Sequence, residues 1–308
     1  MKTIITILAV LSAAVAVAQQ EFSPHPVPMT NVVITKSPVI MRSLYGNRPT
    51  RYGLTGHTEG AVIRALRMFK RTQNEDGSWG EGNNRRLATP LVLMALLGHG
   101  ESTSSHEFGN PVARAHRWTL AENPTNDAER IATSLALSEY VALHVGNRRD
   151  LAAAEIAKIK ACLSAVQRTT EDPWVDYATF FRLPPEVTRP DWMKYTREYP
   201  ARWADAEVDI APESIPGYLA LRIAGLGKFQ TGGDHWRDFN RQYAPKMIER
   251  QTEAGFLPCM PESDRFACTA LAVQAMEVYY QYRPHSWAQP VPEEKTQVDE
   301  DVEIEINL

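Results

Sequence analysis

Apolar side chains recur at helical spacing through most of the chain. Val62, Leu66 and Phe69 fall on one face of a helix predicted over 59–72. Later helices are predicted to begin at or just after these residues: Thr89, Asn110, Asn126, Asp150, Ser214, His235 and Asp264. Asn126 with Glu129 resembles a capping box, and the helix from Ser214 is predicted to end near Gly225. Hardly any stretch alternates with the period of two that strands require. The pattern therefore predicts an all-α protein.

One short pattern returns along the chain. A polar turn at 73–80 follows the first predicted helix, and a degenerate copy at 251–256 follows a later one. The apolar runs behind the two copies, 89–96 and 269–276, are similar and lie 180 residues apart. Partial copies of this run begin at Thr133 and Gly217. A helical pair that recurs every ~40–47 residues predicts stacked hairpins. Each hairpin needs its neighbours to complete the core.

The two ends of the chain differ from this helical body. Residues 1–18 have a basic start, an apolar run and a small-residue cleavage site at Ala18, which is typical of a secretory signal peptide. We therefore expect a secreted or periplasmic protein with no transmembrane anchor. Residues 19–40 contain four prolines and are predicted to be a linker.

An acidic tail is predicted over 286–308. Residues 293–308 have a net charge of −6, against −4 for the whole chain of 308 residues. The last residues, 302–308, alternate apolar and polar side chains, so the tail is either disordered or a strand given to another chain. The remaining body is nearly neutral and has no basic stripe, which argues against nucleic acid as a partner.

Three cysteines leave two alternatives open. Cys259 and Cys268 either form a disulfide in an oxidising compartment or stay as thiols, while Cys162 lies on an apolar helix face. The cysteines and histidines do not have the spacing of a zinc site. We predict no metal and no cofactor.

The repeated turn resembles the QW motif of squalene–hopene cyclases and their prenyltransferase-related kin. The order of the repeats over 41–285 is similar to that in secreted bacterial prenyltransferase/squalene oxidase repeat proteins. The resemblance implies a squalene cyclase-like α/α toroid of about five helical hairpins. In such a toroid the motif is structural: the glutamine is expected to satisfy free N–H groups of the next helix, and the tryptophan to seal the joint. The matching residues are Gln73, Asp76, Gly77, Trp79, Gln251, Gly255 and Phe256.

The chemistry of those families does not carry over to this chain. The chain has neither the Asp-x-Asp-Asp run of the cyclases nor the zinc ligands of the prenyltransferases. The nearest acids are Asp205, Asp209 and Glu213. These are either paired carboxylates for acid–base work or, as we favour, part of a solvated loop with helix caps.

We therefore expect an exported, non-catalytic protein that binds another protein, or an apolar or glycan ligand, in the cell envelope. One alternative is an enzyme that acts on a terpenoid or polyprenyl lipid through a buried carboxylic acid. Another is a glycan-active toroid enzyme with two carboxylates facing an open cleft.

Overall fold

The computed structural model describes residues 53–144, 152–167, 172–179 and 199–281. Within these ranges every regular element is a helix, as predicted, and no strand forms. The predicted signal peptide, linker and acidic tail lie outside the described residues.

The described part of the chain contains the following helices in sequence order. The first five are α1 (Gly56–Thr72), α2 (Arg85–Gly98), α3 (Gly109–Ala121), α4 (Asp127–His144) and α5 (Ala153–Ser164). Two short helices follow, α6 (Pro173–Thr179) and α7 (Tyr199–Ala204). The last are α8 (Ile215–Thr231), α9 (Gly233–Arg250), α10 (Arg265–Met276) and α11 (Val278–Gln281). A 3₁₀ turn precedes α2 at Gly82–Asn84, and another precedes α10 at Glu262–Asp264.

Polar caps start several of these helices. The side-chain oxygen of Asn126 accepts a hydrogen bond from the N–H of Glu129 at 3.0 Å, which confirms Asn126 as the predicted cap. The Glu129 carboxylate accepts at 2.8 Å from the side-chain amide of Asn126, whereas in a full capping box it would accept from the backbone N–H. The Ser214 hydroxyl accepts from the N–H of Gly217 at 3.4 Å. For α1 the cap is Thr55 rather than Thr58, because the Thr55 hydroxyl accepts from the N–H of Thr58 at 3.1 Å.

Two predicted helix boundaries are wrong. Helix α2 begins at Arg85, so Pro90 lies inside it, and the hydroxyl of Thr89 accepts from the backbone of Trp79 at 3.0 Å instead of capping the helix. Helix α8 continues past Gly225 to Thr231. At Gly225 a Cβ atom would lie 3.2 Å from the ring of Phe239 in α9, so this glycine allows close packing rather than ending the helix.

The helices differ in how much of their surface is buried. Helices α2 and α10 are buried on all sides, over 88–98 and 266–276, and α4 and α8 are buried over most of their length. Helices α1, α3 and α9 bury one face only. The fully buried helices pack in the order α8, α10, α2, α4, and α6 contacts both α4 and α8. The one-faced helices pack around them.

The repeat seen in the sequence is also a repeat of structure. The 3₁₀ turns and the helices that follow them begin 180 residues apart, at Gly82 and Glu262 and then at Arg85 and Arg265. The two 3₁₀ turns are in contact at their last residues, since the Asn84 side chain donates a hydrogen bond to the Asp264 carboxylate at 2.9 Å.

The glutamine of each turn makes two hydrogen bonds. The amide of Gln73 donates to its own turn at Gly77 (2.9 Å) and to the carbonyl of Pro111 in α3 (3.0 Å). The amide of Gln251 likewise donates to Gly255 (3.1 Å) and to Ala61 in α1 (2.9 Å). The expectation that this side chain satisfies free N–H groups of the next helix is therefore wrong. A carbonyl has two lone pairs, so it can accept this bond beside its helical one.

Trp79 stabilises the first repeated turn, 73–80, from inside the core. It is fully buried, and its indole N–H donates to the carbonyl of Phe69 at 2.7 Å. In the second copy the equivalent position belongs to Leu257 rather than Phe256. The N–H of Leu257 donates to the hydroxyl of Thr269 at 3.0 Å, which matches the bond between Trp79 and Thr89.

The second copy packs against the first helix of the body. Arg64 of α1 donates to the Gln251 side chain at 2.8 Å, and Arg71 donates to the carbonyl of Ala254 at 3.2 Å. The first and last hairpins in the described part of the chain are therefore in contact. Nearby, Cys259 and Cys268 form a disulfide. Among the described helices none has the length and apolar character to cross a membrane.

Replacement of Gly77 by alanine tests the joint. Gly77 has φ +95°, and a Cβ atom there would lie 2.7 Å from the carbonyl oxygen of Arg114. We expect Gly77→Ala to lower the free energy of unfolding by about 2–4 kcal/mol. The matched control is Gly82, which has φ +50° and nothing within 4 Å of its Cβ position. Gly82→Ala is expected to cost about 1 kcal/mol. Urea denaturation measures both, and equal losses would contradict the packing account.

Candidate functional site

The three acids singled out in the sequence lie at the surface. The side chains of Asp205 and Glu213 are 83% and 61% exposed, and Asp209 is exposed as well. Asp209 accepts from the N–H of Ala211 at 2.8 Å, and Glu213 accepts from Arg250 at 2.9 Å. Asp209 and Glu213 thus hold a turn and a surface ion pair. The structure does not bring the three acids together as a buried carboxylate pair.

Asp205 does border an open cleft. The cleft has a volume of about 550 Å³ and lies between the loop 205–210 and helices α8 and α9. Its charged lining residues are Asp205, Glu207, Lys228, Asp234, His235 and Asp238. Asp205 pairs with His235 at 3.4 Å across it. The cleft is therefore a polar surface with four carboxylates and two basic groups.

Lys228 is one of the residues that line this cleft. Its ammonium group donates to the carbonyl of Ala204 at 2.6 Å and lies 5.8 Å from the ring centre of Phe239. Burial lowers the pKa of Lys228, and the charge of Asp205 opposes this. The lysine therefore contributes a fixed donor beside an aromatic surface.

A second group of charged residues lies in the interior. Glu139 is on α4, Arg222 is on α8, and Glu277 follows the last residue of α10. Arg222 and Glu277 have no exposed surface. Sequence reasoning missed all three. The available signal was a charged residue that interrupts a mainly apolar stretch of the sequence, at Glu139, Arg222 and Glu277.

Arg222 sets the electrostatics of this group. A guanidinium keeps its proton in proteins, so α8 holds a permanent positive charge in the core. That charge favours ionisation of both Glu139 and Glu277, and it also acts on Tyr243. A buried charge of this kind needs negative groups near it.

Burial shifts the ionisation of Glu277 towards the neutral acid. Burial raises its pKa well above the ordinary value; the charge of Arg222 opposes the rise, and the carboxylates of Glu59 and Glu101 add to it. Neither of its oxygens has a hydrogen-bond partner in the part of the chain that the structure describes. Burial without a partner is the costly state for a carboxyl group, and protonation reduces that cost.

Glu139 differs because it keeps some accessible surface. Its side chain is half-buried, yet its carboxyl group lies deep enough for burial to raise the pKa to about 7 against the charge of Arg222. A carboxyl group with a pKa near neutrality can give or take a proton under ordinary conditions. Of the two acids in this group, Glu139 alone keeps accessible surface.

His99 connects the interior group to the first hairpin. Its two ring nitrogens lie 2.9 Å from Glu101 and 3.3 Å from Glu59. These are the two carboxylates that act on Glu277. The carboxylate of Glu101, which follows α2, therefore acts electrostatically on Glu277 at the end of α10.

The space between the fully buried helices is bridged by α6. The buried Tyr177 hydroxyl donates to the side chain of Gln274, which in turn donates to the carbonyl of Leu91 at 2.9 Å. The same hydroxyl is 3.6 Å from the sulfur of Met94. Helices α2, α6 and α10 are thereby tied together by polar contacts inside the core.

The described residues contain no group of three acids, histidines or cysteines arranged to hold a metal ion. Their side chains form hydrogen bonds and ion pairs. The surface cleft presents polar groups to the solvent, and the carboxyl group of Glu139 has a pKa suited to proton exchange near neutrality.

The raised pKa of Glu139 predicts a pH-dependent stability. The folded protein holds this proton more tightly than the unfolded chain, whose carboxyl keeps its ordinary pKa of 4.5. The free energy of unfolding should therefore fall by about 2–3 kcal/mol as the pH rises from 4.5 to about 7, with Glu277 adding in the same direction.

Glu139→Gln should reduce this slope, and the double variant with Glu277→Gln should remove most of it. Urea denaturation at pH 5, 6, 7 and 8 measures the slope. Glu207→Gln, on the exposed loop, is the control and should keep it. A wild-type protein that gains stability over this range would show that Glu139 is not buried as described.

Comparison with known proteins leaves the role of these residues open. No family model, curated protein or solved structure matches the chain. The function is therefore inferred from the residues of the chain itself.

Proposed function

We propose that the chain is an exported, non-catalytic binding protein on an α/α toroid scaffold, with the cleft beside Asp205 as its contact surface. The ligand is a protein segment or a glycan in the cell envelope. Export is supported by the signal-peptide pattern of residues 1–18.

The toroid is supported by the order of the helix contacts. Helices α2, α4, α6, α8 and α10 each contact the next in a series that returns to α2. The one-faced helices lie outside this series, as outer helices of a toroid would. The glutamine of each repeated turn links one outer helix to another. Gln73 bonds to α3, and Gln251 bonds back to α1. The resemblance of these joints to the QW motif agrees with this arrangement.

The observation that carries the binding role is the open cleft of about 550 Å³. Its volume falls within the usual range for small-ligand sites. The lining combines carboxylates, a lysine and a histidine with the apolar side chains of Val208 and Ile210. Such a mixture suits a hydroxyl-rich or charged ligand better than an isoprenoid chain.

The contacts of α6 favour binding over cyclisation. A cyclase-like enzyme needs an apolar chamber between the inner helices for its substrate. Here the buried Tyr177 crosses this region and bonds to Gln274. The acids first considered as proton donors, Asp209 and Glu213, are exposed and already have partners.

A second candidate function is favoured by Glu139. An interior carboxylic acid with a pKa of about 7 is suited to donate a proton to a bound substrate. In this case the chain is an enzyme that acts on a terpenoid or polyprenyl lipid. Its acid is then Glu139, which sequence reasoning did not select, rather than Asp205, Asp209 or Glu213.

Native mass spectrometry of the mature protein from its own envelope tests the proposed role. We expect a glycan or peptide adduct, which is identified after denaturation. The double variant Asp205→Lys with Glu207→Lys should weaken this binding about tenfold, because it reverses two charges in the cleft. The control double variant Asp209→Asn with Glu213→Gln lies outside the charged lining and should retain the adduct.

Loss of the adduct from the control variant, or its persistence in the cleft variant, would contradict the proposed contact surface. An isoprenoid adduct that is converted by the wild type but not by Glu139→Gln would instead establish the enzyme. The two functions thus depend on different residues and give different adducts.

A further inference from the structure

We propose that His144 is a pH-sensitive latch: its neutral ring holds the loop 99–108 against α4, and protonation of the ring releases the loop. The inference goes beyond the proposed function and does not involve the cleft beside Asp205. It rests on the hydrogen bonds of His144 and on the aromatic stack to which its ring belongs.

The two ring nitrogens of His144 have partners of opposite kinds. Nδ1 lies 3.0 Å from the carbonyl oxygen of Tyr140, which can only accept, so Nδ1 carries a proton. Nε2 accepts a hydrogen bond from the backbone N–H of Thr103 at 3.0 Å, so it carries none. These two contacts together require the neutral form of His144 with its proton on Nδ1.

The bond from Thr103 ties the loop between α2 and α3 to α4. Within this loop, the N–H of Ser102 donates to the hydroxyl of Ser105 at 2.9 Å, and the N–H of Ser105 donates back to the carbonyl of Ser102 at 3.0 Å. The turn at 102–105 is thus closed on itself. In the described part of the chain, the hydrogen bond from this turn to α4 is the one that Thr103 makes.

Protonation reverses the role of one nitrogen. A second proton on His144 turns Nε2 from an acceptor into a donor, so that two N–H groups face each other and the bond to Thr103 is lost. The bond from Nδ1 to the Tyr140 carbonyl remains, because Nδ1 carries a proton in both forms. Only the contact with the loop therefore depends on the charge of the ring.

An aromatic stack holds the ring of His144 in place. The Tyr140 ring lies between those of His116 and His144, with ring centres 3.6 Å and 4.0 Å away and planes within 10° and 17° of parallel. A cation over the face of an aromatic ring is attracted to it, and the last turn of a helix favours a positive charge. The charged ring therefore keeps its place on α4, and Thr103 is the group that moves away.

The surroundings of His144 set the pH range. The titratable and charged side chains in this cluster are Tyr140 on α4, His116 and Arg117 on α3, and Glu155 on α5. Burial lowers the pKa of His144 below its ordinary value of 6.5, and the hydrogen bond to the Tyr140 carbonyl opposes this. The ring is therefore neutral above pH 6.5 and takes up its second proton below it.

His116 is the rival group for sensing pH. Burial lowers its pKa, Glu155 opposes this, and a charge on His144 lowers it further. Its Nε2 lies 2.9 Å from the Glu155 carboxylate, which can accept a hydrogen bond from the neutral or the charged ring. Protonation of His116 thus breaks no contact, whereas protonation of His144 breaks one.

The experiment follows the Thr103 amide in the intact mature protein by nuclear magnetic resonance from pH 8 to pH 4. Its protection against hydrogen exchange is corrected for the intrinsic pH dependence of exchange, and ¹⁵N spectra of the imidazole rings record the titration of His144. We expect the Nδ1–H form at pH 8 and constant protection down to pH 6.5. Protection should then fall about tenfold, with the same midpoint as the titration of His144.

A local measurement is needed because the acids act in the opposite direction on global stability. The raised pKa values of Glu139 and Glu277 stabilise the fold as the pH falls. The lowered pKa of His144 makes its contribution present above pH 6.5 and lost as the pH falls below it. The Thr103 amide reports on the second effect alone.

Three variants separate His144 from its neighbour. His144→Gln supplies a side-chain oxygen that accepts without titrating, so Thr103 should stay protected at both ends of the pH range. His144→Ala removes the acceptor and should lower protection at pH 8 about as much as acid does in the wild type. His116→Gln is the matched control and should keep the pH dependence of the wild type. Circular dichroism and the midpoint of thermal unfolding establish that each variant is folded.

The inference is overturned by equal protection of Thr103 across the pH range in the wild type, or by a ring of His144 protonated on Nε2 at pH 8. It is also overturned if His144→Gln loses protection in acid as the wild type does, or if His116→Gln abolishes the pH dependence. If His144→Gln does not fold, His144→Ala and the coincidence of the two midpoints in the wild type decide.

Discussion

The fold depends on one side-chain amide that bonds in two directions. In each copy of the repeated turn, a glutamine donates one N–H to its own turn and the other to a neighbouring helix that buries one face. A single hairpin of one-faced and fully buried helices cannot cover its apolar surface, so each depends on its neighbours. The glutamine supplies a fixed geometry for that contact, and the glycine behind it allows the backbones to approach closely.

The stacking of the helices also buries charged side chains that an isolated helix would leave in water. Arg222 belongs to a helix that is buried over most of its length, and it keeps its charge there. Its field and the burial of nearby acids act in opposite directions on Glu139 and Glu277. Burial prevails in both, so the interior holds carboxyl groups with raised pKa values. This makes the core sensitive to pH, and it makes Glu139 chemically distinct from the surface acids.

Two polar regions with different properties result. The cleft beside Asp205 is open and mixed in charge, and its acids are largely exposed. The interior group is enclosed and rich in carboxyl groups, and only Glu139 has accessible surface. The first is suited to a polar ligand that stays partly in water.

Local sequence determined the helices, their main caps and the repeat. Spacing at i, i+3 and i+4 and the capping residues at Asn126 and Ser214 act within one or two turns, so they can be read directly. Pro90 and Gly225 led to wrong boundaries for α2 and α8, because the roles of these two residues depend on contacts with other helices. Only the tertiary structure separated the surface acids Asp205, Asp209 and Glu213 from the interior Glu139 and Glu277. Burial and the field of Arg222 arise from residues far apart in the chain, and they decide which carboxyl groups are chemically unusual.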